Sequence, residues 1–363
     1  MKKISLKNQN FTYPIYIGKN IFSKFLVFSS IFSIQKNRKI ILITEKKIFS
    51  KYIKKMILNL KNTKLYIVPG GEKIKSFFYY KKILFFLLKN LIRRNSCIIA
   101  IGGGSLIDLV GFASSTYLRG ISLFIFPTTL LSQVDSSIGG KNSINFSNKK
   151  NIIGTFYQPS LVVIDIIFLS SLKSKELSNG LAEIIKYAIS FDKIFFHWLE
   201  KNIDSIFSLK EKEIFYCIEK CCKIKCRIVS KDEKEKGIRS LLNLGHTYGH
   251  AIESLFKGKW NHGESVSLGI VLASYSSFLL KIFSKKEIQR TKEILEKSNL
   301  PINFPHKIKI DKFLKIMKYD KKNLEKKNAL ILPLKIGKVK KFYGISEDII
   351  ISSIESINNK IFY

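Results

Sequence analysis

The sequence has no apolar segment long enough to span a membrane. A transmembrane helix needs roughly 20 consecutive apolar residues, whereas the longest apolar run here, residues 161–167, is short and contains Asp165. The N-terminus, MKKISLKNQNF, is interrupted by Lys and Asn and lacks the apolar stretch of a secretory signal. We therefore expect no membrane partner and a cytoplasmic location.

Acidic residues are scarce, because 27 Asp and Glu face 63 Lys and Arg, for a formal net charge of +36. Such an excess favours either a polyanionic partner, such as nucleic acid, or drift in composition. The excess is mostly Lys, is accompanied by abundant Ile, Asn and Phe, and is spread along the chain. We therefore expect drift and no nucleic-acid partner, although a small anionic substrate would gain from the same field.

Disulfides are not expected, because the five cysteines are an odd number and no secretory signal precedes them. Cys217, Cys221, Cys222 and Cys226 fall at helical spacing without a Cys-x-x-Cys pair. This pattern favours small apolar side chains packed on a helix face over metal ligands.

Strand and helix patterns alternate in the first part of the chain, which predicts a parallel sheet with right-handed crossovers. The predicted strands cover residues 39–44, 64–68, 96–101, 123–127 and 161–165. After about residue 172, long helical patterns replace them, at residues 176–190, 192–207, 211–231, 240–256, 263–283 and 286–298. We predict an α/β, Rossmann-like N-terminal domain, residues 1–171, followed by a mostly α-helical C-terminal domain, residues 172–363.

Two glycine-rich turns follow predicted strands. Residues 102–104 precede a predicted helix, whose N-terminal N–H groups favour a phosphate. The G-x-G-x-x-G fingerprint is absent, since Ile107 stands where its third glycine would be. The turn at Gly70 and Gly71 would lie at the same carboxyl edge of the sheet, where ligands bind. A third segment, Gly139-Gly140-Lys141, is typical of an anion site, with a polar surface loop as the alternative.

Three of the five histidines lie close together in the sequence, at positions 246, 250 and 262. His246 and His250 are four residues apart and share a helix face, but the Glu of an H-E-x-x-H motif is missing. Glu183 lies on an otherwise apolar helix face, where a charge is costly unless it is paired or ligating. One Glu and two His could form a metal site with open positions; each could also be a satisfied structural residue.

A series of motifs, in matching order along almost the whole chain, resembles the 3-dehydroquinate synthase family. They are Gly102-Gly103-Gly104 with residues 108–112, Arg119-Gly120, residues 127–131, residues 134–141, Lys150-Asn151, residues 183–187, residues 242–246 and His262-Gly263-Glu264. The resemblance implies a homodimer whose substrate is the sugar-acid phosphate 3-deoxy-D-arabino-heptulosonate 7-phosphate. It also implies transient oxidation by NAD, phosphate elimination, reduction and closure of the carbocycle by an intramolecular aldol step.

The resemblance also implies roles for individual residues. Glu183, His246 and His262 are expected to hold a divalent metal, zinc or cobalt. His250, Lys141, Lys186 and Asn151 are expected to be catalytic, with His250 relaying a hydroxyl proton. The expected substrate contacts are Asp135, Lys141, Asn151, Lys186, Lys225, Arg239, Asn243, His250, Lys321 and, offered across a dimer interface, Arg119, with Glu235 nearby. The expected NAD contacts are Gly70, Gly71, Glu72, Lys73, Ile74, Lys75, Gly104, Ser105, Leu106, Ile107, Asp108, Thr128, Thr129, Lys141, Lys150, Phe168, Leu169, Ser170 and Ser171.

Two departures from the family pattern concern the cofactor, and two other activities share the scaffold. Ile107 replaces a glycine of the family, and Ser170-Ser171-Leu172 stands where a Thr-Leu-Pro sequence is usual.

Polyol dehydrogenases need fewer anion-binding residues than this chain carries, which argues against them. Cyclases that act on other sugar phosphates differ at only a few substrate positions and remain the nearest alternative.

Overall fold

A computed structural model describes residues 1–27, 38–55, 60, 62–147, 149–256, 258–318 and 329–358 of the protein. The chain forms two compact units, one of Met1–Leu172 with Ile214–Glu233 and one of Lys173–Glu213 with Lys234–Tyr363. The sequence predicts one boundary at residue 171, whereas the second unit is interrupted by a helix that belongs to the first. The assignment of NAD to one domain and of metal and substrate to the other stays a prediction.

The first unit is built around a seven-stranded sheet of order β1-β2-β9-β6-β5-β3-β4. The strands are β1 (Lys2–Lys7), β2 (Thr12–Gly18), β3 (Ile40–Glu45), β4 (Thr63–Val68), β5 (Cys97–Gly102), β6 (Ser122–Pro127) and β9 (Leu161–Asp165). All neighbours pair in parallel except β1 with β2. All six residues of β5 are buried, as expected for a parallel strand covered on both faces. The predicted fold class is confirmed.

A hairpin in the first unit departs from the sequence prediction. Residues 141–156, for which the sequence predicts no strand, form the antiparallel strands β7 (Lys141–Phe146) and β8 (Lys149–Phe156). Their polar side chains lack the apolar alternation that identifies a strand in sequence. Two helices of this unit are α1 (Phe77–Lys89) and α2 (Gly104–Thr116). After β3, a short helix Lys46–Ile48 continues into a π-helical turn, Phe49–Ile53.

Helices dominate the second unit, with one small antiparallel hairpin of β10 (Ala329–Lys335) and β11 (Lys338–Tyr343). In chain order the helices are α3 (Ser174–Phe191), α4 (Lys193–Phe207), α5 (Glu211–Lys231), α6 (His246–Leu255), α7 (His262–Leu279), α8 (Lys285–Lys297), α9 (Ile310–Lys318) and α10 (Glu347–Asn358). Most of α5 belongs to the first unit. Within the described residues, no helix has the length and hydrophobicity of a membrane span.

Two of these helices correct or test the sequence predictions. The predicted helix at 240–256 is divided into a 3₁₀ segment, Ile238–Asn243, and α6. Gly245 separates them with a φ of +76°, a left-handed conformation that glycine adopts without steric cost. On α5, Cys217, Cys221, Cys222 and Cys226 are buried free thiols, in agreement with the prediction of a packed helix face.

The backbones of α6 and α7 approach closely where two glycines face each other. A methyl group on Gly269 would lie 2.1 Å from the carbonyl oxygen of Gly245 and 2.9 Å from the amide nitrogen of Gly249. Because the obstacles are backbone atoms, no side-chain rotation can make room. The crossing therefore requires glycine at position 269.

We predict that Gly269→Ala lowers the free energy of unfolding by about 2 kcal/mol, because overpacking of a well-packed interior typically costs 1–3 kcal/mol. The measurement is chemical denaturation of the purified variant. The exposed helical substitution Lys286→Ala serves as the control and should change stability by less than about 0.5 kcal/mol. Equal stability of Gly269→Ala and wild type would contradict the close crossing.

Candidate functional site

The second unit contains a buried carboxylate. Glu183 is 1% exposed on α3, a helix whose residues 180–190 are all buried. One turn later, Lys186 is 2% exposed and its Nζ contacts Glu183 Oε2. Burial of a carboxylate is strongly unfavourable unless a counter-charge or a ligand compensates it.

Two histidines contact the other oxygen of the same carboxylate. His246 Nε2 lies 3.7 Å from Glu183 Oε1, and His262 Nε2 lies 3.4 Å from it. Each histidine is the first residue of its helix, α6 or α7. Within the described chain, these three residues form a group whose ligand-type atoms all lie within 4.8 Å of one another.

The opposite ring nitrogen of each histidine faces an oxygen. His246 Nδ1 lies 3.2 Å from the carbonyl oxygen of Leu244, and His262 Nδ1 lies 3.0 Å from Glu253 Oε1. A carbonyl or carboxylate oxygen accepts the proton of Nδ1–H, which directs the Nε2 lone pair of a neutral ring towards Glu183. Metal-ligating histidines commonly show this arrangement.

The same location favours positive charge. Burial lowers the pKa of His262, but hydrogen bonds with Glu183 and Glu253 outweigh burial and raise the pKa to about 9. A divalent cation would replace that proton, since metal ligands bind in their deprotonated form. One carboxylate oxygen and two imidazole nitrogens are a donor set that suits zinc or cobalt and leaves coordination positions open. The residues therefore fit a catalytic metal.

A second charged cluster lies in the first unit, after the glycine turn at 70–71. Lys75 is 5% exposed, and its Nζ lies 2.6 Å from Asp108 Oδ2 and 2.5 Å from Asn151 Oδ1. Burial raises the pKa of Asp108, and the ammonium of Lys75 offsets part of that increase. The lysine thereby joins the 70–75 turn, helix α2 and strand β8.

The start of α2 is formed by glycines in close contact with their surroundings. A methyl group on Gly102 would lie 2.4 Å from Leu106 Cδ2, and one on Gly104 would lie 2.8 Å from Ser136 Oγ. The amide of Gly103 donates to Glu45 Oε1 at 3.0 Å. The predicted placement of this turn, after a strand and before a helix, is correct, and it leaves N–H groups at the helix start.

Comparison with known sequences places the chain in a family. The family model for the N-terminal region of 3-dehydroquinate synthase matches residues 65–179, and that for its C-terminal region matches residues 180–323. The 3-dehydroquinate synthase of Buchnera aphidicola subsp. Cinara cedri (strain Cc) is 46% identical over 373 aligned residues, which cover 100% of both chains. The chain belongs to the 3-dehydroquinate synthase family.

Two solved structures share the fold of this chain. A 2-epi-5-epi-valiolone synthase from Streptomyces hygroscopicus subsp. jinggangensis 5008, with NAD⁺ and Zn²⁺ bound, superposes with a TM-score of 0.88 at 22% identity, covering 98% of this chain and 99% of that one. A 2-deoxy-scyllo-inosose synthase complexed with carbaglucose-6-phosphate, NAD⁺ and Co²⁺ gives 0.86 at 22% identity, with 98% and 99% covered. At this identity the likeness establishes the fold.

Among the other second-unit residues predicted from the family motifs, His250 lies near the group of Glu183, His246 and His262, here called the metal-type cluster, and Arg239 is buried. The His250 ring centroid is 5.7 Å from that of His246. Arg239 is 2% exposed, and Asn243 Nδ2 contacts Glu235 Oε1. Lys321 lies outside the described residues. The predicted roles of all these residues stay predictions.

In the first unit, Lys225 Nζ binds Asp135 through the backbone oxygen and Oδ1, both at 2.6 Å. Lys141 and Lys150 are exposed on the β7–β8 hairpin. The hydroxyls of Ser170 and Ser171 each bond a backbone carbonyl of their own turn at 2.8 Å. Four other predicted cofactor contacts have buried side chains: Ile107, Thr128, Phe168 and Leu169 are at most 2% exposed.

Arg119 is exposed in a turn with an unusual backbone. Leu118, Arg119 and Gly120 have φ values of +50°, +63° and +119°. Non-glycine residues rarely adopt such values, and consecutive examples are typical of functional segments. The predicted role of Arg119 across a dimer interface stays a prediction.

Two residues that contact His262 or its neighbour Gly263 were not found from sequence. Glu253 contacts His262, and Asn179 Oδ1 accepts the Gly263 N–H at 2.5 Å. A signal for Glu253 is present, because positions 246, 250 and 253 share one helix face. No comparable pattern connects Asn179 to Gly263, which are adjacent only in the folded unit.

We predict that Lys75→Met lowers the free energy of unfolding by about 3 kcal/mol, because loss of one partner of a buried ion pair leaves the other charge uncompensated. Without the ammonium, burial alone holds the pKa of Asp108 above its unfolded value. The folded variant then binds a proton at Asp108 more tightly than the unfolded chain does. The loss of unfolding free energy is therefore largest at neutral pH and shrinks as pH falls. Denaturation at neutral and mildly acidic pH measures both effects.

The matched control is the double variant Lys75→Met/Asp108→Asn. Removal of both charges should recover much of the stability lost in the single variant, since replacing a whole pair costs less than breaking it. A double variant as unstable as Lys75→Met, or a pH-independent loss, would show that the ion pair is not the cause.

Proposed function

We propose that the chain converts 3-deoxy-D-arabino-heptulosonate 7-phosphate into 3-dehydroquinate and phosphate, as a phosphate-eliminating carbon–oxygen lyase of aromatic amino-acid biosynthesis. The observation that carries this function is full-length similarity, 46% over the whole of both chains, to a curated 3-dehydroquinate synthase. The Glu183, His246 and His262 group supplies the independent structural support.

Glu183, His246 and His262 would hold the divalent ion, zinc or cobalt. When bound, such an ion acts as a Lewis acid that polarises a substrate oxygen. The buried carboxylate and the two Nε2 atoms supply the donors, and Lys186 neutralises the second carboxylate oxygen. Both ions that the related cyclase structures contain, Zn²⁺ and Co²⁺, suit this donor set.

NAD, when bound, acts as the hydride acceptor and is regenerated within each turnover. Its proposed contacts lie in the first unit, in the glycine turns at 70–75 and 104–108, at Thr128 and Thr129, and in the turn at 168–171. The support is chemical: the N-terminus of a helix such as α2 favours a phosphate, and Asp108 of the same helix pairs with Lys75. The NAD⁺-bound cyclases share the fold at TM-scores of 0.88 and 0.86.

Binding of a carboxylate and a phosphate ester requires cations. In the first unit, Lys141, Lys150 and Lys225 are the proposed anion-binding residues, with Asp135 and Asn151 as hydrogen-bonding partners. In the second unit, Lys186 and Arg239 are proposed for that role, with Asn243, and Lys321, outside the described residues, keeps the role that the family resemblance implies. A guanidinium that is 2% exposed, as in Arg239, matches the fixed, bidentate recognition of a carboxylate or phosphate.

His250 is the proposed relay for the hydroxyl proton. It lies one turn after His246 on α6, with ring centroids 5.7 Å apart, so a proton released beside the metal-type cluster would be within reach of its imidazole. In the later steps the protein acts by orienting the substrate, because holding the ring-opened intermediate in one conformer favours the aldol closure.

The assembly and location are proposed on the family resemblance. We expect a cytoplasmic homodimer in which the exposed Arg119 reaches the partner's site. The strained backbone around Arg119 supports a functional segment. The two synthases of known structure are 22% identical to this chain, against 46% for the Buchnera aphidicola 3-dehydroquinate synthase, which favours the latter activity.

We predict that metal-stripped protein releases inorganic phosphate from 3-deoxy-D-arabino-heptulosonate 7-phosphate only when both NAD and zinc or cobalt are added. The internal redox cycle predicts no net accumulation of NADH. Phosphate release and absorbance at the NADH band measure both quantities. Net NADH would indicate a simple dehydrogenase, and no release under any condition would exclude this substrate.

Two histidine variants make the assay specific to the site. His262→Ala should reduce turnover at least 100-fold, because it removes one of three metal ligands. His197→Ala removes a histidine of the same unit that contacts Glu200 and Arg290 instead, and it should retain activity. Wild-type turnover of His262→Ala would remove the metal assignment.

A further inference from the structure

The ring of His262 needs an orienting partner. Its side chain is 33% exposed, more than the 12% of His246 and the 1% of Glu183. A partly exposed imidazole can rotate and can carry its proton on either nitrogen. Only the tautomer with the proton on Nδ1 offers its Nε2 lone pair to an ion beside Glu183.

The backbone of His262 is held from two sides. At the start of α7, the Asn261 side chain accepts the Glu264 N–H at 2.9 Å, and the Glu264 carboxylate accepts the Asn261 N–H at 2.6 Å. The Gly263 N–H donates to Asn179 on α3, the helix that carries Glu183. These contacts place the Cα of His262 but do not determine how its ring is turned.

We propose that Glu253 is a positioning residue for the metal site, because its carboxylate accepts the Nδ1–H of His262 and so fixes the ring orientation and tautomer. The inference rests on the metal site proposed above. Glu253 Oε1 lies 3.0 Å from Nδ1, and the carboxylate is itself 11% exposed. It is not a member of the ligand group and lies on the opposite side of the ring.

The position of Glu253 couples the two histidines. It lies on α6, the helix that begins with His246, so one rigid element carries one proposed ligand and the orienting partner of the other. The close crossing of α6 and α7 at Gly245 and Gly269 keeps this element near the start of α7. The additional negative charge also favours a divalent cation, as carboxylate–histidine–metal triads do elsewhere.

The test is the zinc affinity of metal-stripped protein, measured by competition with a chromogenic chelator. Glu253→Gln should bind zinc about 10- to 100-fold more weakly than wild type, the usual effect of losing such a partner. Glu253→Asp, which retains the charge on a shorter side chain, should lie between them. The absorption spectrum of the cobalt-loaded variant should also change, because the geometry of one ligand is altered.

Glu200→Gln is the matched control. Glu200 also contacts a histidine of the second unit, since His197 Nδ1 lies 3.2 Å from Glu200 Oε2, but it is not part of the metal-type group. This variant should bind zinc as wild type does. Thermal unfolding of the metal-free proteins separates loss of affinity from loss of fold.

The double variant Glu253→Gln/His262→Ala decides whether Glu253 acts through His262. We expect it to bind zinc no more weakly than His262→Ala alone, since coupled residues are not additive. Additive losses, or wild-type affinity in Glu253→Gln, would overturn the positioning role. If wild-type protein binds no zinc at all, the proposed metal site itself fails, which is a distinct result.

Discussion

The burial of one carboxylate on an apolar helix constrains the second unit more than any other interaction. Glu183 is 1% exposed, and an uncompensated charge in such surroundings would be strongly destabilising. Lys186 on the same helix and the first residues of α6 and α7 converge on its two oxygens. That convergence requires both helices to begin beside α3, and the facing glycines of α6 and α7 allow the necessary approach.

The first unit shows the same principle at the edge of its sheet. Lys75 is buried between Asp108 and Asn151. Its ammonium group therefore connects the turn after β4 with the helix after β5 and with the β7–β8 hairpin. The glycines before α2 let the chain pass close to Leu106 and Ser136. In both units, a polar group that would destabilise the interior by itself instead holds together elements distant in sequence, which is how buried polar networks specify a unique arrangement.

Sequence patterns predict β3, β4, β5, β6 and β9 because most of these strands are continuous apolar runs, as in β5, but they do not predict β1 and β2. They predict α3 from its apolar periodicity and α7 from a long segment of apolar and small residues, most of which are buried. They do not predict the β7–β8 hairpin, whose strands are polar, or the interruption at Gly245, where one left-handed residue ends a periodic segment. Glu183, His246 and His262 could be selected as candidates from residue type and spacing together with the family motifs. Their convergence within 4.8 Å, and the contact of Glu253 with His262, depend on tertiary packing that no local pattern encodes.

Anomalous diffraction at the zinc edge, from crystals of zinc-loaded protein, tests most directly whether Glu183, His246 and His262 hold a divalent ion. We expect one strong anomalous peak, about 2.0–2.2 Å from one Glu183 oxygen and from the Nε2 atoms of His246 and His262. A peak at another group of residues, or none at these three under saturating zinc, would contradict the proposed metal site.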